Sequence, residues 1–568
     1  MFENHNVGYT PRKHPGDSIL FGALCGVASA LAALTALLLL APVYDDGGYM
    51  LGVLDPVRLY YYYYTQGVLS YAVELRLSFA AAIGTCAGLL ASIRCWQMTP
   101  RTEPFQLRDE GDPKIFYDEL AEIRLKQSLR AVKGADTSGS MLIAPYIGIT
   151  RRIELRNTMI VGAPGSGKSN LLRPIAQQAI ERGDVVILHC TKGDLAKSFR
   201  PHDIILVSPA HRDGWAWDIG KDIDGPAAAA EFAAAMIPAS EQVFFSDTAR
   251  IIAIDLIVAL IQLHGQNWGP RQLLEAVLAD RDEIVQMISQ LDLSASPLLT
   301  SGSEDGNSRT IESVLATLIS GAMTTLRPMA YAWSNLPAER RFSIKDVLSP
   351  SWTGPKVIVV QTHPSYKTLT QNVCGAVLKY VCQHVAAPAR KGSKVARVTM
   401  VLDEFGSLGR IENFATRLSV AREKGLATTV ALHSLDQLRS IYGNEAAIIA
   451  GLFQVKIYGM LEEGAEEISN SLGTRKISVT DVNRLPEATD KRRYVSKQED
   501  YPVFTPAQFA RELGNFDAGT PSEKISALLV FRREAYRIDW PPTQWKVQGS
   551  EFIQAAWTRV QPTARPPA

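Results

Sequence analysis

The segment Gly162-Ala163-Pro164-Gly165-Ser166-Gly167-Lys168-Ser169 constrains this chain more than any other. It follows the apolar run Met159-Ile160-Val161 and precedes a helix-like segment that starts near Asn170. Glycines at this spacing let successive backbone N–H groups turn inward around a phosphate, and the new helix points its positive end at the same place. A glycine-rich turn that binds nothing is the alternative, but strand before and helix after are the setting a phosphate loop requires. Gly162, Ala163, Pro164, Gly165, Ser166, Gly167, Lys168, Ser169 and Asn170 are therefore the candidate nucleotide contacts. In such a loop Lys168 reaches the β/γ-phosphates and Ser169 ligates Mg²⁺. A strand–loop–helix unit at the start of a sheet commits the chain to an α/β fold.

With 568 residues, 46% of them hydrophobic, the chain is too long for one ordinary domain and can bury a large core. Its 59 basic and 58 acidic residues leave a net charge of +1, so any binding of nucleic acid must rest on local patches. Cys25, Cys86, Cys95, Cys190, Cys374 and Cys382 are scattered, without a CxxC pair, which favours reduced thiols over a zinc site or a disulfide framework.

From Ile19 to Val43 there is no charged residue, and twenty-five helical residues reach about 37 Å, enough to cross a bilayer core of roughly 30 Å. A cleavable signal peptide has a shorter apolar region. A second apolar run, Leu77 to Ile93, is flanked by Glu74, Arg76 and Arg94 and can borrow Tyr71 to Val73. Arg12 and Lys13 before the first run, with Arg94, Arg101, Arg108 and Lys114 after the second, predict cytoplasmic termini. The loop between carries Asp45, Asp46, Asp55 and five tyrosines, Tyr60 to Tyr64, which suit either a membrane-interface belt or a partner surface.

The rest alternates strand and helix patterns. Strands are expected at Met159–Val161, Val185–Cys190, Ile204–Val207, Val357–Gln361, Val398–Leu402, Ala427–Leu432 and Val455–Tyr458, mostly continuous apolar runs suited to burial under helices on both faces. Asp218 to about Ser349 shows no strand pattern and reads as an inserted helical domain. Val398-Thr399-Met400-Val401-Leu402-Asp403-Glu404 is an apolar strand ending in two carboxylates, the form of a Walker B motif. Asp403 is the metal-side residue and Glu404 the general base; two solvated acids at a strand end are the alternative, disfavoured once the phosphate loop is present.

Asp403-Glu404-Phe405-Gly406-Ser407-Leu408, with Lys192-Gly193-Asp194, Ala216-Trp217-Asp218, Ala421-Arg422-Glu423-Lys424-Gly425 and Leu435-Asp436-Gln437-Leu438 followed by Ile441-Tyr442-Gly443, resembles the TraD/TrwB group of type IV secretion coupling proteins. The resemblance implies a RecA-like ATPase with an inserted all-α domain and a two-helix transmembrane anchor, using ATP and Mg²⁺ and forming a homo-hexamer at a bacterial inner membrane, among its lipids. The implied partners are a relaxase with its single DNA strand and components of the type IV secretion channel. The division is 1–18 cytoplasmic, 19–43 and 74–96 membrane helices around a periplasmic loop 44–73, a nucleotide-binding domain in two parts, 105–220 and 351–545, an all-α domain 221–350, and a tail 546–568. By position Arg422 resembles an arginine that enters a neighbouring subunit's catalytic site, with a helix-surface arginine as the alternative. His433 stands where several relatives carry Gln; it is either a sensor of the γ-phosphate, its pKa raised above 6.5 by that anion, or a structural histidine.

Trp215, Trp217 and Trp333 read as packing before base stacking, Lys491-Arg492-Arg493 as a solvated loop before a phosphate contact, and Gln561 to Ala568 as a disordered tail. The expected activity is ATP-driven passage of relaxase-bound DNA into the channel. The alternatives are export of protein effectors, an FtsK-like DNA translocase, and an ATP-dependent docking scaffold.

Overall fold

The computed structural model of the chain describes residues 15–40, 71–98, 115–132, 141–191, 193–238, 242–291, 295, 305–387, 396–483 and 493–559. The chain divides into two compact units, Met1–Glu110 with Lys476–Tyr501, and Gly111–Arg475 with Pro502–Ala568.

The first unit holds two helices, Pro15–Leu40 and Tyr71–Met98, in which Ile19–Leu37 and Ser78–Cys95 are long and apolar enough to cross a membrane. Leu20, Leu24, Leu89 and Leu90 are all at least 60% exposed, whereas a helix from a soluble core buries such side chains. The two helices approach through glycine. A methyl group on Gly26 would stand 2.9 Å from the Gly84 carbonyl oxygen, and one on Gly84 would stand 2.7 Å from that of Gly26, so neither position takes a side chain without parting the helices. The tyrosine run Tyr60 to Tyr64, Lys192, Lys491 and Arg492, and Gln561 to Ala568 lie outside the described residues.

In the second unit the strands of the main sheet are β1 (Ile115–Tyr117), β2 (Thr158–Val161), β3 (Val185–Thr191), β4 (Ile204–Val207), β5 (Val357–Thr362), β6 (Val398–Leu402), β7 (Leu426–Leu432), β8 (Val455–Tyr458), β9 (Gly514–Phe516), β10 (Lys524–Phe531) and β11 (Glu534–Trp540). Their order is β1-β11-β10-β8-β2-β7-β6-β3-β5-β4, with β9 beside β10. From β8 to β4 every pairing is parallel. β2, β4, β5, β6 and β7 are buried throughout, as continuous apolar runs require when helices cover both faces. All seven strands expected from the sequence form, with no end shifted by more than one residue.

The antiparallel extension, β9 to β11, was not among them. Its strands interleave Lys524, Arg537 and Asp539 with apolar residues, a two-residue period of a half-buried hairpin that a search for continuous apolar runs passes over. A second difference lies at the insert's neck, where Ala216–Trp217 pairs in parallel with Arg341–Phe342, a two-residue strand within the stretch expected to contain none. Two residues carry no readable period.

The insert between β4 and β5 is otherwise helical, with Pro226–Met236, Val243–His264, Pro270–Leu278, Arg281–Ser289 and Asp305–Trp333 as its longer helices. It shares one apolar core with a face of the sheet. Trp215, Trp217 and Trp333 are all buried there, and Trp217 packs edge-on against Phe232 and Tyr380. Asp222, 1% exposed, ties the neck together, accepting from Trp217 Nε1 (2.6 Å), Ile344 N (2.8 Å) and Lys345 N (2.9 Å). Asp222→Ala leaves these donors buried without a partner and is expected to cost about 3–5 kcal/mol, read as a fall in urea midpoint and melting temperature. A change under about 1 kcal/mol would mean that water replaces the carboxylate.

The segment from 546, assigned from sequence to a tail, departs from that reading up to 559. Gln548 N and Gly549 N donate to Lys197 O, Arg212 N to Ile553 O, and Ala555 N to Ala210 O, and Phe552 stacks on His363 at 4.2 Å. Backbone pairing with distant loops, not local composition, orders it.

Candidate functional site

The parallel strands all end at one edge, and an open sheet of this kind binds ligands beyond the carboxyl ends of its strands. β7 lies between β2, which feeds the phosphate loop, and β6, which ends in the two acids. That order brings Lys168, His433 and Asp403-Glu404 together from three strands.

The loop is held from both sides. Gly162 N donates to Leu432 O at the end of β7, and Ala163 N donates to Met460 O beyond β8. Gly165 and Gly167 are left-handed (φ 80° and 88°), and a methyl group on Gly167 would meet Ile525 of β10 at 2.8 Å, so both glycines are needed for the turn and its support. The helix Lys168–Glu181 starts at the lysine itself and aims its first N–H groups into the loop. Ser166 Oγ is buried with no partner, and the side chain of Asn170 accepts from Thr543 N at 3.4 Å.

Lys168 Nζ donates to Gly162 O (2.7 Å) and Ala163 O (3.0 Å) and lies 3.2 Å from His433 Nδ1. Burial lowers its pKa, against the opposing pull of Asp403 and then Glu404. Ser169 Oγ donates to Asp403 Oδ2 at 3.2 Å. The Asp403 carboxyl is raised above the usual range by burial first and by Glu404 second, while Ser169, the Glu404 backbone and Lys168 work against that rise. A hydroxyl and a carboxylate oxygen so placed are hard donors suited to Mg²⁺, which would keep most of its water. Glu404 is held at φ 49°, a conformation rare for glutamate and typical of functional sites.

His433 Nε2 lies 4.0 Å from Glu404 Oε1, which places the ring between lysine and base. An ammonium only donates, so Nδ1 accepts and the proton sits on Nε2. Its pKa is lowered, by burial first and by the Lys168 charge second, with Glu404 opposing. The rise expected from the sequence belongs to a ring beside a bound γ-phosphate; in the nucleotide-free fold the nearest charge is a cation and the shift is downward. A depressed histidine is neutral above 6.5 and becomes charged as pH falls below it, and its contribution to stability is lost in that direction. Nucleotide affinity of the wild type is therefore expected to change as pH falls below about 6.5 and that of His433→Gln to stay flat by comparison, measured by titration with a fluorescent nucleotide. Superimposable profiles would leave His433 without a titrating role.

Arg422 does not join the site. It lies in the last turn of the helix Phe414–Glu423, ahead of β7, while His433 follows β7; the seven-residue strand separates them by roughly 20 Å. The structure also supplies residues that sequence reading passed over. His189, fully buried in β3 opposite Leu402, donates from Nδ1 to Asp403 O (2.5 Å) and accepts at Nε2 from Thr362 Oγ1 (3.1 Å). Burial pulls its pKa down to about 4. Gln437 Oε1 accepts from His433 N at 3.2 Å. A histidine inside an otherwise apolar strand was the only available signal for the first; the second had none beyond its place in a motif. A cavity of about 600 Å³ beside Cys382 and Arg417 is lined by none of these residues.

Fold and site together define a P-loop nucleotide-binding protein with an all-α insert. The family profile described as the type IV secretion-system coupling protein DNA-binding domain matches residues 141–508, and the chain belongs to that family. It is 25% identical over 464 residues to the coupling protein TraD of Escherichia coli (strain K12), covering 72% of this chain and 62% of TraD. It is also 25% identical over 185 residues to the conjugal transfer protein TraG of Rhizobium radiobacter, covering 31% of this chain and 28% of TraG. The chain thus spans less than two thirds of the length of these curated relatives. Among solved structures, the bacterial conjugative coupling protein TrwBdeltaN70 in its unbound monoclinic form matches with a TM-score of 0.60 at 18% identity, over 77% of this chain and 94% of that one. TrwB in complex with ADP and Mg²⁺ matches with a TM-score of 0.58 at 19% identity, over 76% and 94%. At these identities the likeness is one of fold.

Proposed function

We propose that the chain is a homo-hexameric ATPase, anchored by two helices in a bacterial inner membrane, that recruits a relaxase-bound single DNA strand and drives it into a type IV secretion channel. The observation that carries this reading is the meeting of Lys168, Ser169, Asp403 and Glu404 at one strand edge in a chain of the coupling protein family. ATP and Mg²⁺ are its proposed ligands, as TrwB is described in complex with ADP and Mg²⁺ and with an ATP analogue.

Each residue then has a task. The N–H groups of Gly165 to Ser169 hold the phosphates, and Lys168 leaves its two carbonyls to face the β/γ-phosphate oxygens. Ser169 Oγ and Asp403 would hold Mg²⁺, which would supply positive charge against the phosphates. Glu404 accepts a proton from the attacking water. His433 Nε2–H faces that base at 4.0 Å and would be free to donate to it or to a γ-phosphate oxygen.

The full-length chain in detergent should hydrolyse ATP, and single-stranded DNA should raise the rate in a manner that fades with salt, as phosphate contacts release counterions. An ATPase indifferent to DNA at low salt would favour protein cargo, and binding without hydrolysis would favour a docking scaffold.

A further inference from the structure

The two acids at the end of β6 are held by a side chain of the neighbouring strand. The register between β3 and β6 ends at the pair His189 and Leu402, one residue short of Asp403. His189 carries the grip one residue further, because its carbonyl accepts from Asp403 N at 3.2 Å and its ring Nδ1 donates to Asp403 O at 2.5 Å. Both main-chain polar groups of Asp403 are thus held by this one residue, which is fully buried. A buried carbonyl at a strand end needs a donor, and the ordinary one is a backbone N–H or a water, not an imidazole.

The proton on that ring has a single arrangement. A carbonyl oxygen only accepts, so Nδ1 carries the hydrogen and Nε2 is left as an acceptor. Thr362 on β5, 2% exposed, places its Oγ1 at 3.1 Å from Nε2 and is the donor there. Ser407 Oγ lies 3.5 Å from Thr362 Oγ1 and 3.2 Å from Thr191 Oγ1, so the hydroxyls behind the ring can all donate in one direction. Burial pulls the ring pKa down to about 4, which keeps it neutral, and in this tautomer, at neutral pH.

What the ring holds is the peptide plane between the two acids. Glu404 N donates to Asp403 Oδ1 at 3.0 Å and Ser407 N to Glu404 O at 2.8 Å, in a turn where Glu404 is left-handed at φ 49°. Such a conformation persists only where its surroundings over-determine it. Rotation of that plane would swing Asp403 Oδ2 away from Ser169 Oγ, now at 3.2 Å, and Glu404 Oε1 away from His433 Nε2, now at 4.0 Å. A residue kept for packing alone needs neither contact, and an apolar side chain would fill this apolar strand without burying two polar atoms.

We propose that His189 is a positioning residue for both acids, fixing the Asp403–Glu404 peptide plane through its Nδ1–H, with the Thr362 hydroxyl fixing the tautomer that makes this donation possible. Being fully buried, His189 acts only through Asp403. The proposal rests on the nucleotide-hydrolysis reading above and adds to it the group that aims the metal-side carboxylate and the base.

The test uses full-length protein in detergent. In His189→Asn the amide nitrogen falls near the place of Nδ1, and in His189→Gln near that of Nε2, so only the first keeps a donor for Asp403 O. Both leave a gap and are expected to melt below the wild type. His189→Asn is expected to keep ATP turnover within about 5-fold, while His189→Gln and His189→Leu lose roughly 10–100-fold in kcat with little change in KM, the mark of misplaced reacting groups. Binding gives a second readout. Mg²⁺ should tighten a fluorescent ATP analogue in the wild type and in His189→Asn, and several-fold less in His189→Gln, with the Mg²⁺-free affinity alike in all three. Thr362→Val, close in shape to threonine, carries the test if substitution of His189 unfolds the chain; it is expected to lose turnover about 10-fold, whereas Thr362→Ser keeps it. Equal losses in His189→Asn and His189→Gln, wild-type turnover in His189→Leu, or Thr362→Val at the wild-type rate overturns the proposal, since the ring is then packing alone. A wild type that binds ATP and Mg²⁺ without turnover overturns the hydrolysis reading instead, and the Mg²⁺ dependence of binding then decides the proposal.

Discussion

Lys168→Ala abolishes turnover and lowers nucleotide affinity at least about 30-fold. The lysine is the one cation buried in the loop, with its ammonium already aimed at the space the phosphates would take. Removing one partner of a desolvated charge contact costs about 2–5 kcal/mol, and 2 kcal/mol is roughly 30-fold in a dissociation constant. The fold should survive, since alanine favours helix and the freed Gly162 and Ala163 carbonyls can turn to water. Titration with a fluorescent nucleotide, beside a thermal melt, checks both parts. Unchanged affinity in a folded variant would remove the phosphate-loop assignment.

Glu404→Gln gives the complementary pattern. The amide keeps the size and the left-handed backbone but cannot take a proton, so turnover is expected to drop about 10²–10⁴-fold while nucleotide affinity holds within a few fold. Asp403 should become easier to ionise, because Glu404 is the second largest cause of its raised pKa and that charge is gone. Single-turnover hydrolysis with equilibrium binding separates the two effects. A variant that turns over at the wild-type rate would show that another group activates the water.

Gly162 to Ser169 and Val398 to Glu404 were legible as they stand, because each motif is a local pattern along one backbone segment, a turn followed by a helix or an apolar strand ended by acids. The same holds for the seven strands and for the two apolar helices, whose length alone distinguishes them. His189 was not legible. Its residue type fits a hundred contexts, and only the pairing of β3 with β6 puts its ring under the Asp403 carbonyl. The docked segment 546–559 escaped for a related reason, as its order comes from carbonyls and amides of loops some 350 residues away in sequence, Lys197 and Ala210 among them.

Sequence by itself determined the parts of this protein: a phosphate loop, an acidic strand, an anchor-like helix pair, an α/β body with a helical insert and the family that joins them. Those properties follow from spacing, period and length, which act between neighbours in the chain. Only the tertiary structure decided how the parts face one another. The strand order set β7 between phosphate loop and acids, which put His433 against Lys168 and lowered its pKa in the nucleotide-free fold. It also put Arg422 at the far end of that strand, among arginines from two other elements. Electrostatics depends on distances through space, and those are fixed by strand order and packing and not by position along the chain.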